Sequence, residues 1–383
     1  MSEGRSPSAE APLLDIRGVH VEYGADNGTV HAVTDVSLTL ERGRILGLAG
    51  ESGCGKSTLA YAITRLLRPP AQITAGEILY HPSADRAAAR SKGRGQDAAG
   101  GPVDVLRLSS AELRAFRWSE IAIVFQSAMN ALNPVLTLGA QIMDVLRTHR
   151  PGMRAGERQA RAVELLRLVG IAPDRLKGFP HELSGGMRQR AIIAIALALA
   201  PELIIMDEPT TALDVVVQRE ILLELMALRA EFNFSVIFIT HDLSLLLEIA
   251  DQIAIMYAGR VVETATSREL QRQPRHPYSY GMLNSFPTIY GERRRMTGIP
   301  GAPPDLRAIP SGCAFHPRCP MAFAPCARDL PLLRPSTTVT PEQRVACHLY
   351  DARYTAAPPP TNANFAGRYE ATYARALGEG SGP

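Results

Sequence analysis

Residues 45–59, ILGLAGESGCGKSTL, constrain this chain more than any other stretch. An apolar run over 45–49 stops at a glycine-rich loop, and Leu59, Ala62, Ile63 and Leu66 follow it at helical spacing. Gly50, Gly55, Lys56 and Ser57 complete the phosphate-loop pattern G-x-x-x-x-G-K-[ST]. A strand delivers the chain to a turn where glycines allow positive φ, so successive N–H groups can face one anion. The helix that follows adds free donors and the positive end of its dipole. Lys56 contributes a point charge, and Ser57 offers a hydroxyl to Mg²⁺. Gly50, Ser52, Gly53, Cys54, Gly55, Lys56, Ser57 and Thr58 therefore form the expected cradle for a nucleoside triphosphate.

The remaining composition sets bounds. At 383 residues the chain holds one large or two to three small domains. Its 46% hydrophobic and 21% charged content is that of a soluble globular protein. A net charge of +3 is too small to imply nucleic acid as a partner. The longest apolar run, 191–200, is too short to span a bilayer. The start of the chain is polar with no hydrophobic signal core, which predicts a cytoplasmic location. In a reducing compartment, the five cysteines point to metal or free thiols before disulfides.

Residues 1–12 are small and polar and are expected to be disordered. Strands are expected over 13–19, 30–40 and 76–80. Tyr23, between the first two, serves either as a ring for stacking adenine or as an ordinary strand-surface tyrosine. Residues 81–103 lack an apolar period and read as a flexible surface insertion. A strand over 121–125 ends at Gln126. Helices over 140–147 and 162–169, the second closed by Gly170, mark an inserted helical subdomain at about 127–182. Ser184 is placed to cap a helix over 185–200 that Pro201 stops. Strands over 203–206 and 236–240 end in Asp207-Glu208 and His241-Asp242, and 253–263 read as a hairpin. This alternation predicts an α/β core with a largely parallel sheet. Ligands of such sheets bind at the carboxyl ends of the strands, so the loop, Gln126, Asp207, Glu208 and His241 should converge.

Phosphoryl transfer to water needs held phosphates, a metal and an oriented water. Lys56 and the loop amides supply the first, Ser57, Gln126 and Asp207 the Mg²⁺ shell, and Glu208 a general base. His241 and Gln126 are placed for the γ-phosphate side. The segment LSGGM, with Ser184, Gly185, Gly186 and Met187 opening a long helix, is a second anion site by the same amide and dipole logic. One nucleotide does not need two such cradles on one chain. Two chains packed head to tail, the loop of one facing the LSGGM of the other, would use both.

Together GESGCGKST, Gln126, LSGGM, LIIMDEP, TALD and the histidine of ITHD resemble the motif series of an ABC-transporter ATPase, over about 13–263. The resemblance implies a P-loop lobe with an antiparallel β subdomain and an inserted helical subdomain. It makes Lys56 the Walker A lysine, Asp207 the Walker B aspartate and Glu208 the catalytic glutamate. Ser184, Gly185, Gly186 and Met187 become the signature, Asp214 the D-loop aspartate, His241 the switch histidine and Tyr23 the adenine-stacking ring. Met187 departs from the usual LSGGQ, which implies weaker nucleotide contact at the partner's site.

Beyond residue 265 the chain is proline-rich and lacks the apolar mass for its own core, so it needs a staple. Cys313, Cys319, Cys326 and Cys347, spaced C-x5-C-x6-C-x20-C, are the candidates, either as a four-thiolate metal site or as free cysteines. This extension, with RHPY and GC…RCP…C…CH, resembles the ATP-binding subunits of bacterial oligopeptide and dipeptide importers. The resemblance implies a [4Fe–4S] cluster, with Zn²⁺ as the alternative, in a domain over 266–352. Residues 353–383 are expected to be a disordered tail.

The resulting expectation is an ATP- and Mg²⁺-dependent ATPase that energises peptide import from the cytoplasmic face of the bacterial inner membrane. Its partners would be a second ATPase subunit, two permease subunits and, through the complex, an extracytoplasmic solute-binding protein, with no nucleic acid. The permease would dock near residues 127–138. The alternatives are nickel, sugar or antimicrobial-peptide cargo for the same class of transporter, or a soluble ABC ATPase. Against the last, no sustained heptad separates Gln126 from the signature, and the chain carries one ATPase core.

Overall fold

The structure, a computed structural model, describes residues 11–25, 28–91, 101–126, 131–210, 213–285, 298–336, 342–355 and 357–376. Its strands are β1 (Leu14–Ala25), β2 (Gly28–Leu40), β3 (Ile45–Ala49), β4 (Ala71–Tyr80), β5 (Val103–Asp104) and β6 (Ile121–Val124). There follow β7 (Leu203–Asp207), β8 (Ser235–Thr240), β9 (Gln252–Tyr257), β10 (Arg260–Thr266), β11 (Arg334–Pro335) and β12 (Arg344–Val345). Two sheets result. One is a small antiparallel sheet in the order β2-β1-β4-β5, and the other runs β11-β12-β10-β9-β3-β8-β7-β6. In the second, β9, β3, β8, β7 and β6 are parallel, while β10 and β12 add antiparallel at one edge. The expected α/β core with an antiparallel β subdomain is therefore present.

Strands β3, β7 and β8 are buried along their whole length, because both faces of the sheet are covered. That is why they read as unbroken apolar runs and not as alternating ones. Alternate residues serve different cores. Leu203, Ile205 and Ile237 face the antiparallel sheet and the helix α1 (Lys56–Ile63). Ile204, Met206 and Phe238 face a cluster that includes Ile142, Leu146, Leu165, Leu166 and Ile193. Those last residues belong to α4 (Leu138–His149) and α5 (Ala155–Leu168), which fall within the helical subdomain expected at about 127–182, and to α6 (Gly185–Ala196), which lies beyond that bound and packs with them.

Three expectations need correction. Between α1 and α4 the chain forms α2 (Ala84–Ser91) and α3 (Ser110–Phe116). Helix α2 falls in the supposed flexible insertion, and Arg86 anchors it through Glu120 at 3.2 Å and the carbonyls of Ser119 and Ala200. Helix α6 ends at Ala196, short of the expected 200, because Ala200 takes φ +50 in the turn before Pro201. After α6 come α7 (Val215–Phe232), α8 (Leu243–Ile249), α9 (Ser267–Arg272), α10 (Pro277–Leu283) and α11 (Asn362–Ala376). Helix α11 lies where a disordered tail was expected. Phe365 and Tyr369, one helical turn apart, are buried against Tyr280 of α10. Residues 1–10, 92–100 and 377–383, which carry the rest of those expectations, lie outside the described residues.

The extension beyond residue 265 is built onto the core sheet, since β12 pairs with β10 through Glu263↔Val345 and Thr264↔Arg344. The buried Glu263 carboxylate accepts hydrogen bonds from the Arg275 and His276 N–H groups at 2.8 Å and from Gln343 Nε2 at 3.0 Å. The RHPY segment is thus a turn held by one acidic side chain of the sheet edge.

Candidate nucleotide site

The loop after β3 enters α1 through Gly55, whose φ of +106 only glycine adopts readily. Space demands glycine as well. A Cβ at Gly55 would meet the Ala32 carbonyl at 2.1 Å, and one at Gly50 the Met256 carbonyl at 2.3 Å. Lys56, 5% exposed, donates from Nζ to the carbonyls of Gly50 at 2.8 Å and Glu51 at 3.0 Å. Its ammonium thus lies folded against the loop. Cys54 is buried beneath the loop and Ser52 and Gly53 are exposed above it, while Ser57 and Thr58 occupy the first turn of α1. The Tyr23 hydroxyl lies 3.3 Å from Thr58 Oγ1, which brings the tyrosine of β1 beside this helix.

Ser57 Oγ donates to Asp207 Oδ1 at 2.9 Å. Asp207 is fully buried at the end of β7, and its Oδ2 accepts no hydrogen bond. Burial, reinforced by the neighbouring Glu208, pushes this carboxyl above its usual range against the opposing pull of Ser57 and Lys56. A hydroxyl and a buried carboxylate oxygen without a donor are the hard oxygen ligands that suit Mg²⁺, so this pair fits the ion.

Glu208 sits at φ +47 and donates its N–H to the Ile239 carbonyl of β8 at 2.9 Å, which aims its side chain over the strand ends. There Gln126 Nε2 donates to Glu208 Oε2 at 3.0 Å, and His241 Nδ1 lies 3.5 Å from Glu208 Oε1. The three residues that follow β6, β7 and β8 therefore converge. Gln126 rests on Glu208 and not on the Ser57–Asp207 pair with which the sequence reading grouped it.

The LSGGM segment lies on the helical subdomain. Ser184 caps α6 by accepting from Met187 N at 3.3 Å, with Gly185 and Gly186 in the first turn. Asp214 caps α7 by accepting from the N–H groups of Val216 and Val217. A Cβ at Gly186 would meet Val217 Cγ1 at 2.8 Å, so the two helix starts are packed together. Next to Asp214, Val215 and Val216 are 79% and 69% exposed, an unusual place for branched apolar side chains.

Cys313, Cys319, Cys326 and Cys347 are free thiols. The Cys313 N–H donates to the Cys326 carbonyl at 2.8 Å. Burial pushes the Cys313 thiol up to about 11 and the Cys319, Cys326 and Cys347 thiols upward too, favouring the protonated form. Among the described residues no group of three or more His, Cys, Asp or Glu side chains is arranged to hold a metal ion. Of the two readings that the spacing left open, a four-thiolate site or free cysteines, the described residues show free thiols, and the iron–sulfur cluster implied by the resemblance finds no such group here.

Two side chains that the sequence reading did not single out reach the phosphate loop. Tyr278 and Arg318, both from the extension, contact Glu51, which directly follows Gly50. An acidic residue inside a phosphate loop was the available signal, since such a charge calls for a cation nearby.

Comparison with known proteins gives two family matches. One is the ABC transporter family over residues 33–211, and the other is the oligopeptide/dipeptide transporter C-terminal region over 262–326. The chain is 41% identical to the oligopeptide transport ATP-binding protein OppD of Salmonella typhimurium, covering 86% of this chain and 92% of that one. It is 40% identical to the dipeptide transport ATP-binding protein DppD of Bacillus subtilis, over 89% of this chain and 96% of that one. Among solved structures it resembles the ATP-binding cassette MJ0796, described as a dimer in a post-hydrolysis state bound to ADP and Pi. The TM-score is 0.55 at 28% identity, covering 67% of this chain and 99% of that one.

Proposed function

The chain belongs to the ATP-binding subunits of the oligopeptide/dipeptide ABC transporters, and on that premise we propose how its residues divide the work of energising peptide import. The observation that carries this reading is the convergence of Lys56, Ser57, Asp207, Glu208 and Gln126 at the strand ends. The loop amides and the start of α1 hold the β- and γ-phosphates. Lys56 leaves the Gly50 and Glu51 carbonyls to meet phosphate oxygens. Ser57 and Asp207 would hold Mg²⁺, which would neutralise charge on the phosphates. Glu208 accepts the proton of the attacking water, with Gln126 and His241 fixing its carboxylate. Tyr23 stacks on the base.

The signature residues Ser184, Gly185, Gly186 and Met187, with Asp214, complete a second subunit's site across a head-to-tail dimer. The exposed Val215 and Val216 beside them suit that burial. The permease docks in the groove lined by Trp118, Phe125, Leu132, Leu136 and Val145, where Phe125 and Leu136 are exposed. This groove takes up part of the expected 127–138 surface, of which residues 127–130 lie outside the described residues. No helix among the described residues is long and apolar enough to cross a membrane. The complex sits at the cytoplasmic face of the inner membrane and receives peptide from a solute-binding protein outside. An iron–sulfur cluster in the extension would require the four thiols to close together and lose their protons. Anaerobically purified protein with iron and sulfide in equal amounts would support it, and protein with neither would overturn it.

The test of the catalytic assignment is Glu208→Gln. Removing a general base costs about 10²–10⁴-fold in rate, so steady-state hydrolysis should fall by that order while ATP binding persists. Undiminished hydrolysis would remove Glu208 from the role of base.

A further inference from the structure

We propose that Arg318 and Tyr278 are positioning residues of the nucleotide site, clamping Glu51 so that the first turn of the phosphate loop is held ready for ATP. The proposal rests on the reading of this loop as the ATP cradle.

Two separate contacts from the extension land on one loop residue. The Glu51 N–H donates to the Tyr278 hydroxyl at 2.8 Å. The Glu51 carboxylate accepts from Arg318 Nη1 at 2.6 Å and Nη2 at 2.9 Å, a two-pronged pair. The rest of the guanidinium is also occupied. Nε donates to the Pro300 carbonyl at 2.6 Å, Nη1 to the Tyr257 hydroxyl at 3.3 Å and Nη2 to the Gly301 carbonyl at 3.3 Å. The Arg318 side chain is 6% exposed, with its guanidinium carbon 5.8 Å from the Tyr257 ring and 5.9 Å from the Phe315 ring. All five of its N–H donors are satisfied and its rotamer is locked by packing. Arg318 is therefore a rigid post and not a mobile surface charge.

What the post holds matters for the chemistry. The Glu51 carbonyl accepts from Lys56 Nζ and from the Cys54 N–H, so fixing Glu51 fixes the peptide around which the loop turns. A loop ordered before ATP arrives loses less entropy on binding. The pairing also neutralises a carboxylate that would otherwise repel a triphosphate, and the fork that does this comes from a segment 267 residues away. The extension therefore acts on the nucleotide site from the same side of the sheet on which the loop emerges.

Equilibrium binding of Mg·ATP to the full chain, with melting temperature in parallel, separates the clamp from simple glue. The variants are Tyr278→Phe, Glu51→Gln, Arg318→Met and the double Arg318→Met/Glu51→Gln. The clamp predicts that loss of preorganisation raises Kd roughly 3- to 10-fold in Tyr278→Phe and Glu51→Gln. Arg318→Met should weaken binding at least as much, with the double variant no weaker than Arg318→Met alone, because both remove one device. A through-space charge effect predicts the reverse: Glu51→Gln would tighten binding, and the double variant would return to the wild-type Kd. If Arg318→Met does not fold, Tyr278→Phe and Glu51→Gln decide the matter. An unchanged Kd in those two, even with a lowered melting temperature, overturns the clamp. Failure of the wild-type chain to bind Mg·ATP would instead bring down the ATP-site reading.

Discussion

Asp207 shows how a single side chain can favour one state of a site at the expense of another. Its carboxyl is pushed up by burial, so the fold makes a proton easier to bind there, while a Mg²⁺ ligand must be the carboxylate. The sign follows. Stability of the nucleotide-free chain is gained as pH falls through the raised value, and Mg·ATP affinity is lost over the same interval. Asp207→Asn should leave the melting temperature of the empty chain equal or higher, yet abolish the Mg²⁺-dependent part of ATP binding and flatten its pH profile. Melting curves with and without Mg·ATP across pH check this, and a destabilised empty variant would contradict it. Lys56, Ser57, Asp207, Glu208 and His241 were legible as sequence because each ends or follows an apolar run, and strand ends place ligands. The Glu51–Arg318 pair was not, since no local pattern connects residues so far apart in the chain.

Single elements of the chain divide along similar lines. Strands β3, β6, β7 and β8 declared themselves as short apolar runs, and the cap Ser184 declared its helix, whereas α7 and its cap Asp214 were not read from the sequence. Helix α11 was hidden by its surroundings. Proline before it and Ala, Gly and Arg within it suggest a tail, and its apolar signal is the pair Phe365 and Tyr369 one turn apart. Those two side chains bury against Tyr280, and Tyr369 Oη donates to the Pro277 carbonyl at 2.8 Å, so the helix bolts down the RHPY turn. Phe365→Ala in such a site costs about 3–5 kcal/mol. It should undock α11, seen as faster proteolytic cleavage near residues 355–361, and lower the melting temperature. Unchanged cleavage would show that the helix is not held by that ring. Helix α2 was missed for a different reason. It is held by Arg86 reaching three partners on the core, and polar anchoring leaves no apolar period to read.

For the whole molecule, the two sheets and the helical subdomain carry separate halves of the chemistry. The loop, Asp207 and Glu208 stand on the core sheet, and the signature stands on the helical subdomain. In the proposed head-to-tail dimer, residues of both kinds would be used together, and the ATP-binding cassette MJ0796, which this chain resembles, is described as dimeric. The extension, legible as a separate proline-rich segment, proves to be part of the core sheet through β12, which is how it reaches the nucleotide loop. ATP hydrolysis by this subunit energises peptide import. The most direct measurement is uptake of a labelled oligopeptide into proteoliposomes holding the complex purified through this chain, with ATP supplied on the side exposing it. Uptake should depend on ATP with the wild-type chain and stay at background with Glu208→Gln. Equal uptake by both, or uptake without ATP, would contradict it.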